Sequence, residues 1–288
     1  GGDRAFSFVA FGDMPYSIPN DYARFDRLIA AVNQLKPAFS VHVGDIKSGS
    51  SACTDEALQK VYDQFQTFDQ PLVYAIGDNE WTDCHRNRET PFNPRERLAK
   101  LRQMFFANPG QSLGRAPMAV ESEARTLPAF STYVENARFT KNDVLFVTLN
   151  IPGSNNGFET TDPQAAAEYF ERNRANLAWL TDSFQKAKEA NARAVVLIFQ
   201  AYLWDIKDTA NNIPPASGFR ATIDTIDREA RDFGLHVLTP RGLKGEEALN
   251  LVKSHAADVA VVVAYGLILP QEVLDAFPLG CLNLHASL

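Results

Sequence analysis

A chain of 288 residues with 45% hydrophobic side chains is globular in composition and long enough for one large domain or two ordinary ones. Its formal net charge of −7, without any run of Lys or Arg, gives no footprint for gripping a phosphate backbone, so nucleic acid is not expected as a partner. The longest apolar run, residues 259–269, is far short of the ~20 residues a membrane span needs, and no membrane partner is expected either. The opening GGDRAFSF reads as the approach to a strand; a targeting segment was removed before it or never existed.

In chain order, AFSFVAF (5–11), AFSVHV (38–43) and LVYAI (72–76) are short apolar runs bounded by turn signals, and are predicted as buried strands. Tyr22, Phe25, Leu28, Ile29, Val32 and Leu35 recur at helical spacing between Asp21 and Pro37, and Leu58, Val61, Tyr62, Phe65 and Phe68 repeat the pattern. Strands alternating with amphipathic helices predict crossover units, an α/β fold and parallel neighbours. A helix after Pro94 carries Leu98, Leu101 and Phe105, and residues 107–142 read as surface loops with a short strand at STYV. Next come a strand at DVLFVTL (143–149), the turn-rich IPGSNNG, a long helix from Pro163, and a strand at AVVLIF (194–199). A helix over 221–234, a strand at HVL (236–238), a helix from Gly245 to His255, a strand at DVAVVVAY, a short helix after Pro270 and a strand at CLNLH complete the chain as half of a doubly wound unit.

Three of the early strands run into Gly-Asp: Gly12–Asp13, Gly44–Asp45 and Gly77–Asp78. The carboxyl ends of parallel strands form one rim, so the three carboxylates are expected to converge, with glycine allowing the sharp turn before each. Clustered carboxylates repel one another unless a cation sits among them, which predicts a divalent metal site. Three cysteines cannot all pair; Cys53 and Cys84 can bridge in an oxidising compartment while Cys281 stands alone, and three reduced thiols are the other reading.

Over about residues 1–230 these motifs resemble the calcineurin-like metallophosphoesterases, whose signature is D-x-H, GD, GNH[DE], a strand-end His, then GHxH. GDNEWTDCHR and TLNIPGSNNG are similar to an exported bacterial branch of that family, in which Cys53 and Cys84 look like a disulfide pair. The resemblance implies a layered β-sandwich flanked by helices, hydrolysis of a small phosphorylated substrate, an ester or an anhydride, and a periplasmic or secreted location. It implies divalent metal ions as cofactors, among Mn, Mg, Fe or Zn. By position, Asp13 matches the first metal ligand, Asp45 the bridging one, and Asp78 or Asn79 the next, with Asn79 also standing where the family has its leaving-group His and Glu80 where it has its final acid. The chain departs from the pattern at Pro15, in place of the His of D-x-H, and at Gln200, the matched metal position in place of the strand-end His. An oxygen-rich set of this kind favours Mg, Ca or Mn.

His85 is a candidate catalytic residue, as substitute ligand or phosphate contact, or else a solvated loop histidine; His42 reads as a core residue. Trp81, Asn150, Ser154 and Asn155 are candidates for lining the pocket. A scaffold that binds metal or phosphate without turnover is an alternative.

The family's GHxH element does not arrive. From about residue 231 the chain, through AYGLILP and GCLNLHASL, is similar to a stretch of methionyl-tRNA formyltransferase. That resemblance implies roles for Asn283 and His285 in holding the formyl group of 10-formyltetrahydrofolate and stabilising the developing oxyanion. The family's catalytic Asp and its tRNA-binding domain match positions beyond Leu288, so the segment reads as a fragment of a formyl-transfer site. The expected organisation is therefore an incomplete metallophosphoesterase-like domain at 1–230 and a half-Rossmann formyltransferase fragment at 231–288, joined by a natural, artefactual or engineered fusion.

Overall fold

The structure, a computed structural model, describes residues 5–203, 217–235, 243–258, 260–263 and 269–284. It divides into two compact units, Gly1–Glu229 and Ala230–Leu288.

In the first unit, β1 (Val9–Phe11), β2 (Ser40–His42) and β3 (Leu72–Tyr74) form a parallel sheet in that order. Helices make the crossovers. Phe25, Ile29 and Val32 give α1 (Tyr22–Leu35) one buried stripe, and it stops at Lys36, whose φ of 49° leaves the helix just before Pro37. Thr54 caps α2 (Asp55–Phe65) by accepting the Ala57 N–H, and Asn93 caps α3 (Pro94–Phe105) with Pro94 inside its first turn. The apolar stripes of all three helices pack on one face of the sheet, with Phe65, Phe68 and Leu101 fully buried.

The second sheet has the order β4 (Glu121–Ser122), β5 (Ala137–Lys141), β6 (Val144–Thr148), β7 (Ala194–Ile198). Its β6 and β7 are parallel, and the others pair antiparallel. Phe39, Val41, Val73 and Ala75 from the first sheet meet Phe146 and Ile198 from the second, so the two sheets lie face to face over a shared core. The long α4 (Pro163–Glu189), capped by Asp162, follows β6 and buries Tyr169, Ala175, Trp179 and Leu180. The unit ends in α5 (Arg220–Asp232).

One expectation fails here. STYV (131–134) is not a strand but a turn, and the strand is β5, a few residues on. It is drawn into the sheet by a two-residue hairpin at Asn142–Asp143, where both φ angles are positive (47° and 64°), the geometry whose twist matches the flanking strands.

In the second unit, β8 (Ala260–Val263) and β9 (Cys281–Leu284) pair in parallel, with α6 (Glu246–Ser254) before them and α7 (Gln271–Leu274) between. The strand expected at 236–238 lies outside the described residues. No helix among the described residues is long and apolar enough to cross a membrane.

Candidate metal and phosphate site

The three Gly-Asp turns stand at the carboxyl ends of β1, β2 and β3. Gly44 and Gly77 touch backbone to backbone, so a Cβ on either would collide with the other's turn. Asp13 and Asp45 both take left-handed backbone, with φ of 54° and 60°, a conformation that is uncommon outside glycine and concentrates at functional sites. The Asp13 N–H donates to the Gly44 carbonyl (3.1 Å), which ties the first turn to the second.

Glu80 fixes the other two turns. It is fully buried, and accepts hydrogen bonds from the Gly77 N–H (2.7 Å), the Asp45 N–H (3.2 Å) and the Tyr74 hydroxyl (2.7 Å). Burial pushes its carboxyl up to about 7 against the pull of those donors.

Gln200, just past β7, brings Asp45 and Asp78 together. Its Nε2 donates to Asp45 Oδ2 (3.3 Å) and to Asp78 Oδ1 (3.2 Å), while its Oε1 accepts the Gly153 N–H (2.5 Å). That last bond fixes the amide's orientation, because only the oxygen can accept it. Gln200 therefore offers N–H, not oxygen, to the carboxylates. Asp45 is raised far above the carboxylate range by burial, then by Glu80 and Asp78; Asp13 is raised by burial and then by Asp78.

The other oxygen of Asp78 meets the IPGSNNG loop. Ser154, Asn155 and Asn156 run through three successive positive φ angles, and the turn places Ser154 Oγ 2.9 Å from Asp78 Oδ2 and 2.7 Å from Asp83 Oδ1. One hydroxyl carries one proton, so it cannot donate to both at once. Asp83 is raised by burial, while Arg86 Nη1 donates to its Oδ2 (2.5 Å).

Asn79 is buried beside this group, and its N–H donates to Asp45 Oδ1 (3.4 Å). His85 is exposed, and its Nδ1 donates to the Thr82 carbonyl (2.8 Å), which holds the ring on its own turn. Of the expected lining residues, Ser154 reaches the acidic group. Asn150 turns to buried Glu135 (2.9 Å), Asn155 to the backbone of Phe158 and Gly218, and Trp81 lies under the Arg172 guanidinium. Cys53 and Cys84 form a disulfide behind the site. Asn283 sits on β9 with its backbone opposite Val262, and His285 lies outside the described residues. Among the described residues, no group of three or more His, Cys, Asp or Glu side chains is arranged to hold an ion as it stands.

Two residues of this site escaped the sequence reading. Lys47 is 1% exposed, with its Nζ on the carbonyls of Asn79 (2.5 Å) and Ser48 (2.9 Å). Arg172 is fully buried and holds the IPGSNNG loop through Asn150 O (3.0 Å), Asn156 Oδ1 (2.6 Å) and Asn156 O (2.8 Å).

Comparison with known proteins finds two likenesses, one in sequence and one in fold. Residues 171–288 match the formyl transferase family, beginning inside α4. Methionyl-tRNA formyltransferase of Nitrobacter hamburgensis is 55% identical over 75 residues, 26% of this chain and 24% of that protein. That of Rhodopseudomonas palustris (strain BisB5) is 50% identical over 95 residues, 32% of this chain and 31% of that protein. The chain thus spans about a quarter to a third of the length of these two relatives. A crystal structure of a dimetal phosphatase from Danio rerio is similar over 80% of this chain and 78% of that one, with a TM-score of 0.51 and 13% identity, a likeness of fold. The fold is an α/β one: two facing sheets flanked by helices, alike in fold to the dimetal phosphatase structure, with a C-terminal stretch similar to the formyl transferase family.

Proposed function

We propose that the first unit hydrolyses a small phosphate ester or anhydride with the help of a divalent cation held by Asp13, Asp45 and Asp78, with Asn79 beside them. The observation that carries this reading is the pairing of Asp45 and Asp78, whose oxygens lie 3.3 and 3.2 Å from a single amide nitrogen at the ends of parallel strands. Two carboxylates held that close, with a neutral amide between them, favour a cation. The likeness of fold to a dimetal phosphatase supports it.

The residues present do not fit a pair of ions bound through imidazoles, because Pro15 and Gln200 stand at two of the histidine positions and Gln200 turns its N–H inward. A cation held by these carboxylates would be bound through oxygen, as Mg, Ca or Mn are. Such an ion supplies positive charge for a phosphoryl oxygen and acidifies water at neutral pH. The chain's part is placement. Glu80 and the glycine contacts set Asp45 and Asp78, and Ser154 holds Asp78 from its other side. The Cys53–Cys84 disulfide supports a periplasmic or secreted location.

The intact chain is expected to turn over p-nitrophenyl phosphate with Mn or Mg and to stop when EDTA is added. Asp45→Asn is expected to lower kcat/KM by roughly 100-fold or more with an unchanged circular-dichroism spectrum. Stoichiometric metal binding without any turnover would leave only a non-catalytic binding scaffold.

The family match of residues 171–288 favours a second reading for the second unit, in which Asn283 and His285 contribute to formyl transfer from 10-formyltetrahydrofolate. Binding of that folate to the intact chain, lost in His285→Ala, supports it; a chain that binds no folate rules it out.

A further inference from the structure

An anion that enters a group of carboxylates needs a positive side chain within its reach. Lys47, Arg172 and Arg86 stand around this group. Lys47 is 1% exposed with its Nζ on the backbone carbonyls of Asn79 and Ser48, and Arg172 is fully buried against the IPGSNNG loop, so neither meets a solute. Arg86 differs, with 53% of its side chain exposed.

Arg86 closes the short 3-10 turn Thr82–Arg86, which follows the third Gly-Asp turn directly. Its Nη1 donates to Asp83 Oδ2 and its Nη2 to Ser154 Oγ (3.2 Å). Both anchors are themselves fixed: Asp83 is buried with its N–H on the Asp78 carbonyl (3.0 Å), and Ser154 lies in the loop that Arg172 holds. The same Ser154 oxygen is 2.9 Å from Asp78 Oδ2, so one hydroxyl separates the guanidinium from the carboxylate that Gln200 pairs with Asp45. Asp13, Asp78, Ser154 and Gln200 each keep part of their surface open to solvent. Asp83 and Ser154 take two of the guanidinium's N–H donors, and no other acceptor among the described residues meets the rest. An arginine pinned at one edge, with the remainder of its fork open, suits two oxygens of a phosphate.

We propose that Arg86 binds the non-bridging oxygens of the substrate's phosphoryl group and selects a terminal phosphate, a monoester dianion, over a phosphodiester. This names the substrate class of the phosphoesterase reading above and rests on it. A terminal phosphate carries a second negative charge towards Asp45, Asp78 and Asp83, and the guanidinium offsets that charge; a diester carries a single one and depends on Arg86 less.

Two measurements on the intact chain with Mn2+ present test the proposal: equilibrium dialysis against radiolabelled inorganic phosphate, and steady-state kinetics with p-nitrophenyl phosphate and bis(p-nitrophenyl) phosphate. Arg86→Ala is expected to weaken phosphate binding roughly tenfold or more, and to lower the ratio of kcat/KM for the monoester over the diester by roughly tenfold. The same substitution in an Asp83→Asn background separates this role from simple neutralisation of Asp83: a loss that persists supports the phosphate contact, and a loss that disappears overturns it. Should Arg86→Ala lose its native circular-dichroism spectrum, Arg86→Lys, which keeps the charge but not the fork, carries the same comparison. A wild type that hydrolyses the monoester while the Arg86 variants keep its phosphate affinity and its selectivity overturns the proposal and leaves the phosphoesterase reading intact, as does a wild type that prefers the diester. A wild type that neither binds phosphate nor turns over either ester overturns both. Phosphate binding that depends on Arg86, without turnover of either ester, supports the contact and overturns hydrolysis.

Discussion

His42 is the residue that joins the first two Gly-Asp turns. Its Nε2 donates to the Met14 carbonyl (2.7 Å) and its Nδ1 accepts the Gly44 N–H (3.1 Å), an arrangement that only a neutral ring with the proton on Nε2 satisfies. Phe11, Phe25, Phe65 and Tyr74 surround it, and burial lowers its pKa to about 4. Between pH 4 and the ordinary value of 6.5 the unfolded chain binds a proton that the native ring refuses. Stability from this residue is therefore complete above about 6.5 and is lost as pH falls towards 4, by up to about 3 kcal/mol. Carboxyls with raised pKa, such as Glu80 and Glu123, act in the opposite direction, so the wild type alone would blur the effect. The difference between wild type and His42→Gln isolates it. In urea unfolding that difference is expected to be largest at pH 7.5 and to shrink by pH 4.5; a gap that stays constant with pH would show that the ring is not neutral in the fold.

Elements rather than single residues decide how well the acidic rim is held. The segment from Cys53 to Cys84 contains α2, β3 and the third Gly-Asp turn, and its disulfide joins two chain positions with Cα atoms 5.7 Å apart. Opening a loop of that length in the unfolded state is worth roughly 3–4 kcal/mol by the chain-entropy estimate. The double variant Cys53→Ala, Cys84→Ala is expected to lose about that much in urea unfolding under non-reducing conditions, and a loss below about 1 kcal/mol would mean that the bridge closes an already ordered loop. The parallel strands of the first unit were legible as short apolar runs between turn signals, and its helices from period, since Phe25, Ile29 and Val32 on α1 or Leu58, Val61 and Phe65 on α2 repeat at helical spacing and face one core. The β5 strand was not, because ARFTK alternates over only four residues and three of its five side chains are polar; the Asn142–Asp143 hairpin signal was present, but its leading strand is too polar to attract notice. Glycine and aspartate at three strand ends marked the rim, whereas Lys47 and Arg172 stayed hidden. A charged side chain reads as solvent-facing by type, and nothing in the spacing tells that Arg172 turns its guanidinium onto Trp81, Asn150 and Asn156.

At the scale of the whole molecule, the two units differ in how much apolar surface they bury. The first has two sheets with a core between them and a second core beneath its helices, built around Phe, Leu, Val and Ile side chains at or near zero exposure. In the second, Ala230, Ala248 and Val273 are buried, and its sheet has two described strands. A two-stranded sheet on its own is marginal in water, because burial of apolar area is the main term set against the entropy of ordering the chain. Native-state hydrogen exchange reads it directly. Amides of β1, β2, β3, β6 and β7 are expected to exchange only through global unfolding of the first unit, while those of β8 and β9, Val262 and Leu282 among them, exchange through openings on the order of 2 kcal/mol or more cheaper. Equal protection across both sets of strands would show that β8 and β9 are held by more than their own two-stranded pairing.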